Sequence, residues 1–139
     1  MKKSTIIKLG VGVLTIVLIG GCQLGPSNEE LINATMTDWK AALIAQDLDK
    51  FMALHSENYV STEGSTSASM REFMAEVFEG GFLDDVEVNL EDATTTIEGG
   101  EAEVRPIELS TAMLDKTIEL TLKKENGDWL IVGSNYQEQ

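Results

Sequence analysis

The chain has 139 residues, with 24 acidic against 10 basic side chains and a formal charge of −14 at neutral pH. That balance excludes nucleic-acid binding, which needs a basic stripe to neutralise phosphates, and argues against lying flat on an anionic membrane, where attraction comes from Lys and Arg. The length is that of one domain with a single core, and the lone cysteine leaves no disulfide within the chain and no cysteine-based metal site.

Lys2, Lys3 and Lys8 stand ahead of an uncharged apolar run from Leu9 to Ile19, and the small residues Gly20 and Gly21 precede Cys22. A basic segment, an oily segment and a small-residue cut site are the parts of an export signal. The oily run reaches only 14 residues even when counted from Ile6, whereas a membrane-spanning helix needs about 20. The four residues "IGGC", Ile19 to Cys22, resemble the lipobox of bacterial lipoprotein signal peptides, with Gly20 departing from the usual second position. The resemblance implies cleavage after residues 1–21, a diacylglycerol on the Cys22 thiol, and often a further acyl chain on the new amino group. Two or three acyl chains suffice for stable anchoring. The expected location is therefore the bacterial cell membrane or outer membrane, reached through the lipid on Cys22. An ordinary secretory signal with an incidental cysteine, or an uncleaved anchor, are the alternatives. Residues 22–28 form a tether whose stretch from Gln23 to Asn28 spans at most about 20 Å, and the domain is expected over residues 29–137.

Ser27 followed by Glu30 is a capping-box signature, and Ile32, Met36, Trp39 and Leu43 then recur as one apolar stripe, which predicts a helix to about Gln46. Asp47 is placed to cap a short second helix with Leu48, Phe51, Met52 and Leu54 inward. A brief strand is expected over Tyr59 to Thr62, then a loop. Ser69 and Glu72 read as another capping box, opening a helix whose inner face is Met70, Phe73, Met74, Val77 and Phe78 and which Gly80 and Gly81 stop. From Val86 the apolar period becomes 2. In the segment from Glu101 to Thr111 the phase slips at Arg105 and Pro106, which predicts a bulge. Ile118, Leu120 and Leu122 alternate with polar residues, Asn126-Gly127 is the preferred pair of a type I′ hairpin, and Trp129 to Tyr136 is the closing strand. Helices first and strands afterwards give an α+β domain, with N-terminal helices packed on an antiparallel sheet.

This order resembles the nuclear transport factor 2-like superfamily, and more closely its SnoaL-like, or polyketide cyclase-like, branch. The residues that carry the resemblance are "WKAALIAQDLDKFMALHSENYVS", Trp39 to Ser61, and "LKKENGDWLIVGSN", Leu122 to Asn135. It implies a cystatin-like cone in which a curved antiparallel sheet wraps the helices and leaves a pocket at the open end, and it implies a homodimer through the convex face of the sheet. The superfamily holds isomerases, dehydratases, hydrolases, ligand binders and plain association domains, and none of its catalytic motifs matches here residue by residue.

The best acid/base candidate is His55, the only histidine, which shares the apolar face of Phe51 and Met52 and has Tyr59 nearby. A core-edge histidine bonded to backbone is the plainer expectation. Ile107, Leu109, Ile118, Leu120 and Leu122 are assigned to the inward face, which sends Glu108 and Glu119 to the other one; with the two faces exchanged, those two carboxylates would enter the pocket instead. The ligand-pocket candidates are Trp39, Phe51, His55, Tyr59, Phe73, Phe78 and Met113, residues that at such spacing also make ordinary cores. The acid-rich runs Phe82 to Asp92 and Ile97 to Glu103 lack EF-hand spacing, and no P-loop, dinucleotide glycine motif or HExxH occurs. No metal and no cofactor are expected. The leading expectation is a non-catalytic envelope lipoprotein binding a small apolar ligand or a protein partner. The competing one is a SnoaL-like isomerase, dehydratase or hydrolase using His55 and Tyr59, and a third is a purely structural dimerising module.

Overall fold

The computed structural model describes residues 25–138. The segment expected to be an export signal, residues 1–21, and Cys22 lie outside the described residues.

Helix α1, Asn28–Ala45, begins where the sequence places it: Ser27 Oγ accepts from the Glu30 N–H at 3.2 Å, and the Glu30 carboxylate accepts from the Ser27 N–H at 3.0 Å. Two donors orphaned by the first turn are thereby satisfied. Its stripe of Ile32, Met36, Trp39 and Leu43, joined by Ala42, is buried. Gln46 ends it in a left-handed conformation, φ 53°. Helix α2, Leu48–Ala53, follows at once, with the Asp47 carboxylate accepting from the Lys50 N–H at 3.1 Å. A helix of six residues cannot sustain itself by propensity, so this cap and the burial of Phe51 hold it. Asp47→Ala is expected to lower domain stability by about 1 kcal/mol, read as a shift in the urea midpoint with the slope unchanged. An unmoved midpoint would mean that the cap contributes nothing.

Helix α3, Ser67–Glu79, starts earlier than expected. Its cap is Thr66, paired reciprocally with Ser69, not Ser69 with Glu72. Serine at the third position does the work of the usual Glu or Gln, so the familiar spacing points three residues too late. Phe73 is a second correction: it is 63% exposed instead of inward. At about 100° per residue it lies about 60° from Met70, on the side away from Phe78. The seam settles on Met70, Met74, Val77 and Phe78, leaving Phe73 at the far flank.

Five strands follow: β1 Glu87–Asn89, β2 Thr94–Glu98, β3 Glu101–Ser110, β4 Asp115–Glu125 and β5 Asp128–Glu138. All pairings are antiparallel; β1 and β2 share one edge of β3, and β4 and β5 follow on the other side. The register slips between Val104 and Ile107, at the Arg105–Pro106 step, as the phase change predicts; that peptide bond is cis. A second slip between Thr121 and Leu122 was not visible in the alternation of β4 because the extra residue sits in β5. Asn126 and Gly127 both have positive φ, as a type I′ turn requires.

The expected strand over Tyr59 to Thr62 does not form as such. The chain from Leu54 to Thr62 instead runs irregularly along β5, with the Ile131 N–H donating to Leu54 O at 2.9 Å, Ser56 N–H to Ile131 O at 2.8 Å, Val60 N–H to Val132 O at 3.0 Å and Thr62 N–H to Ser134 O at 3.0 Å. This covers what would be an open edge. The approach is close: a Cβ on Gly133 would sit 3.2 Å from the Val60 carbonyl oxygen.

One contiguous apolar cluster fills the space between the helices and the inner sheet face, drawing on α1, α2, Tyr59, Met70 and the inward residues Val104, Ile107, Ile118, Leu120, Leu122, Trp129 and Ile131. Glu108 is exposed and Glu119 faces outward to Arg105 and Gln137. Among the described residues no helix is long and apolar enough to cross a membrane.

Candidate functional site

His55 follows α2 and is only 7% exposed. Its Nδ1 lies 2.9 Å from the Phe51 carbonyl oxygen, one helical turn back. A carbonyl can only accept, so Nδ1 carries the proton and, in the neutral ring, Nε2 holds the lone pair. Burial, only partly offset by the bond to Phe51, pushes the pKa of His55 down to about 4. The ring packs against Phe51 at 4.6 Å and edge-on to Tyr59 at 5.5 Å between centroids.

Tyr59 is buried, and its hydroxyl is bonded to Ser134 Oγ. Desolvation pushes the phenol pKa upward. Phe51 also meets Trp39 at 6.4 Å and the edge of Phe78 at 6.1 Å. Five of the seven pocket candidates, Trp39, Phe51, His55, Tyr59 and Phe78, thus form one connected aromatic series within the core. Phe73 and Met113 stand apart from it, 63% and 79% exposed, the latter in the turn between β3 and β4. The Trp39 indole N–H is buried without a hydrogen-bond partner among the described residues.

Two surface grooves accompany this core. One, of about 460 Å³, lies on the outer sheet face at the bulge, lined by Thr94, Thr96, Arg105, Pro106, Thr117, Glu119 and Gln137. The other, of about 550 Å³, lies between α2 and the first turn of α3, lined by Asp49, Met52, Ala53, His55, Glu57, Ser67, Ala68 and Arg71. Arg71 bonds Asp49 across it at 2.6 Å. The sequence reading identified only His55 among these lining residues, because the ion pair joins positions 22 apart and no local pattern marks it. A further unforeseen link is Ser56, whose hydroxyl meets the Glu125 carboxylate at 2.9 and 3.0 Å and ties the exit of α2 to the β4–β5 turn.

No family model matches the chain, and no curated protein does. Solved structures do. A protein with a cystatin-like fold from Nostoc punctiforme PCC 73102 superposes with a TM-score of 0.61 at 12% identity, covering 81% of this chain and 92% of that one. A nuclear transport factor 2-like protein from Pseudomonas putida KT2440 gives 0.65 at 12% identity, over 81% and 89% of the two chains. A candidate scytalone dehydratase from Novosphingobium aromaticivorans DSM 12444 gives 0.63 at 16% identity, over 80% and 83%. At these identities the likeness shows the fold: an α+β domain of the nuclear transport factor 2-like, or cystatin-like, kind.

Proposed function

We propose that this chain is a cell-envelope lipoprotein, anchored through Cys22, whose domain is a non-catalytic binding module. The observation that carries the second half is the state of its two best catalytic groups. The Tyr59 hydroxyl is committed to Ser134 inside the aromatic core and lines neither groove, so His55, held through Nδ1 by the Phe51 carbonyl and with Nε2 unpartnered, meets its groove without that donor beside it. A general base and its partner donor must reach a substrate together, and these two are packed edge to face instead. The packing of Trp39, Phe51, His55, Tyr59 and Phe78 on one another favours recognition on the outer surfaces over a small apolar ligand held among them.

The anchoring half rests on the export signal and lipobox. Asn28 Oδ1 accepts from Lys124 Nζ at 3.0 Å and from the Trp129 indole at 3.3 Å, so the tether leaves the domain beside the β4–β5 turn. That end would face the bilayer.

The test grows cells expressing the chain on an alkyne-tagged palmitate analogue. The wild-type protein should carry the tag and pellet with membranes, whereas Cys22→Ser should lose both. A labelled Cys22→Ser chain would overturn the anchor. Tyr59→Phe, which removes only the hydroxyl, should complement a deletion strain like wild type. A folded, lipidated Tyr59→Phe protein without cellular function would instead favour the dehydratase-type reading that the Novosphingobium structure suggests.

A further inference from the structure

The groove between α2 and α3 has an unusual balance of partners. The Arg71 guanidinium is already engaged by Asp49 at 2.6 Å. The first backbone donors of α3 are partly used as well, since Thr66 and Ser69 satisfy each other's N–H groups. What remains unpartnered is acceptor capacity: the carboxylate of Glu57 makes no ion pair or hydrogen bond among the described residues, and neither does Nε2 of His55. Nδ1 points at Phe51 and donates, so Nε2 is the nitrogen left to meet the groove that His55 lines, and the residue as a whole is 7% exposed. The groove wall between these polar groups is apolar, formed by Met52, Ala53 and Ala68.

We propose that this groove binds a primary alkylammonium group, its N–H donors received by His55 Nε2 and the Glu57 carboxylate and its alkyl stem lying on Met52, Ala53 and Ala68. Both unpartnered groups present lone pairs and so suit a cation that carries N–H donors. No group of three or more His, Cys, Asp or Glu among the described residues is arranged to hold a metal ion. The strongly acidic chain raises the local concentration of cations. Burial keeps the imidazole neutral at pH 7, hence an acceptor. The site deepens the binding-module reading by giving it a ligand class, and it stands whether or not Cys22 is acylated.

His55 is the only histidine, so its ring protons are a single reporter for the site. The experiment titrates residues 23–139, imidazole-labelled, with n-butylammonium chloride at pH 7, and in parallel with sodium butyrate and sodium chloride. A saturable shift with butylammonium alone is expected, in the millimolar range that so few heavy atoms allow. Glu57→Gln, an exposed substitution that leaves the core untouched, should weaken binding on the order of fivefold. Nα-acetyllysine amide offers the same ammonium on a peptide: tighter binding than butylammonium assigns the groove to a lysine of a partner chain, weaker binding to a free amine. No saturable shift, an equal shift with butyrate, or unchanged affinity in Glu57→Gln would each overturn the proposal, while leaving the lipoprotein reading intact.

Discussion

Acidifying the protein from pH 7 to pH 4 is expected to withdraw about 3 kcal/mol of stability through His55 alone. In the unfolded chain this imidazole titrates at the ordinary value of 6.5, whereas in the folded domain burial holds it at about 4. Between those values the unfolded state takes up a proton that the native state refuses, so stability falls as pH falls through that window. Below about pH 4 the native ring is charged too, and the loss levels off. The measurement is a difference, so that only the contribution of the imidazole is read. Urea denaturation of wild type and His55→Asn is followed from pH 7 to pH 4. Asparagine keeps an N–H for the Phe51 carbonyl and has no proton to gain. The variant starts less stable, having lost ring contact with Phe51 and Tyr59, but its stability should fall less with acid by about 3 kcal/mol. Parallel curves for the two proteins would show that the native imidazole titrates freely and is not packed as described.

The parts of the fold legible in the sequence were those governed by local chemistry. Caps at Ser27 and Asp47, the Asn126-Gly127 turn and the phase slip at Pro106 are each set by a few neighbouring residues, and each is present. Period-2 alternation also placed Ile107, Ile118, Leu120 and Leu122 inward and Glu108 and Glu119 outward. The misreadings arise where a distant surface decides. Phe73 is within the apolar arc of α3, but the seam chosen by its neighbours leaves it in solvent, and Met113 is an oily residue carried in a turn. The stretch after Tyr59 has strand-like composition, yet β5 draws it into an irregular path. The aromatic candidates around His55 were legible because α2 brings Phe51 and His55 together at a spacing of four. The groove beside them was not, since Asp49, Glu57 and Arg71 converge only through tertiary packing.

Ile131→Ala should be severely damaging, costing about 4 kcal/mol and lowering the melting temperature by roughly 15 °C. The side chain is fully buried and stands opposite Leu122, which is also fully buried, on the inner face of the sheet. Both of its backbone groups are engaged: the N–H donates to Leu54 O and the carbonyl accepts from Ser56 N–H, which binds β5 to the exit of α2 and bridges it to His55. Because the main chain is held there by the same bonds that close the sheet edge, the cavity left by truncation cannot collapse, and the loss of contact adds to the loss of burial. Phe73→Ala is the matched comparison. It removes a larger apolar side chain, but one already 63% exposed, and should cost no more than about 0.5 kcal/mol. Thermal melts of the two variants against wild type separate packing from hydrophobicity: equal destabilisation would mean that α3 buries Phe73 in solution, and a loss below about 1 kcal/mol for Ile131→Ala would mean that the core around His55 relaxes where the geometry holds it rigid.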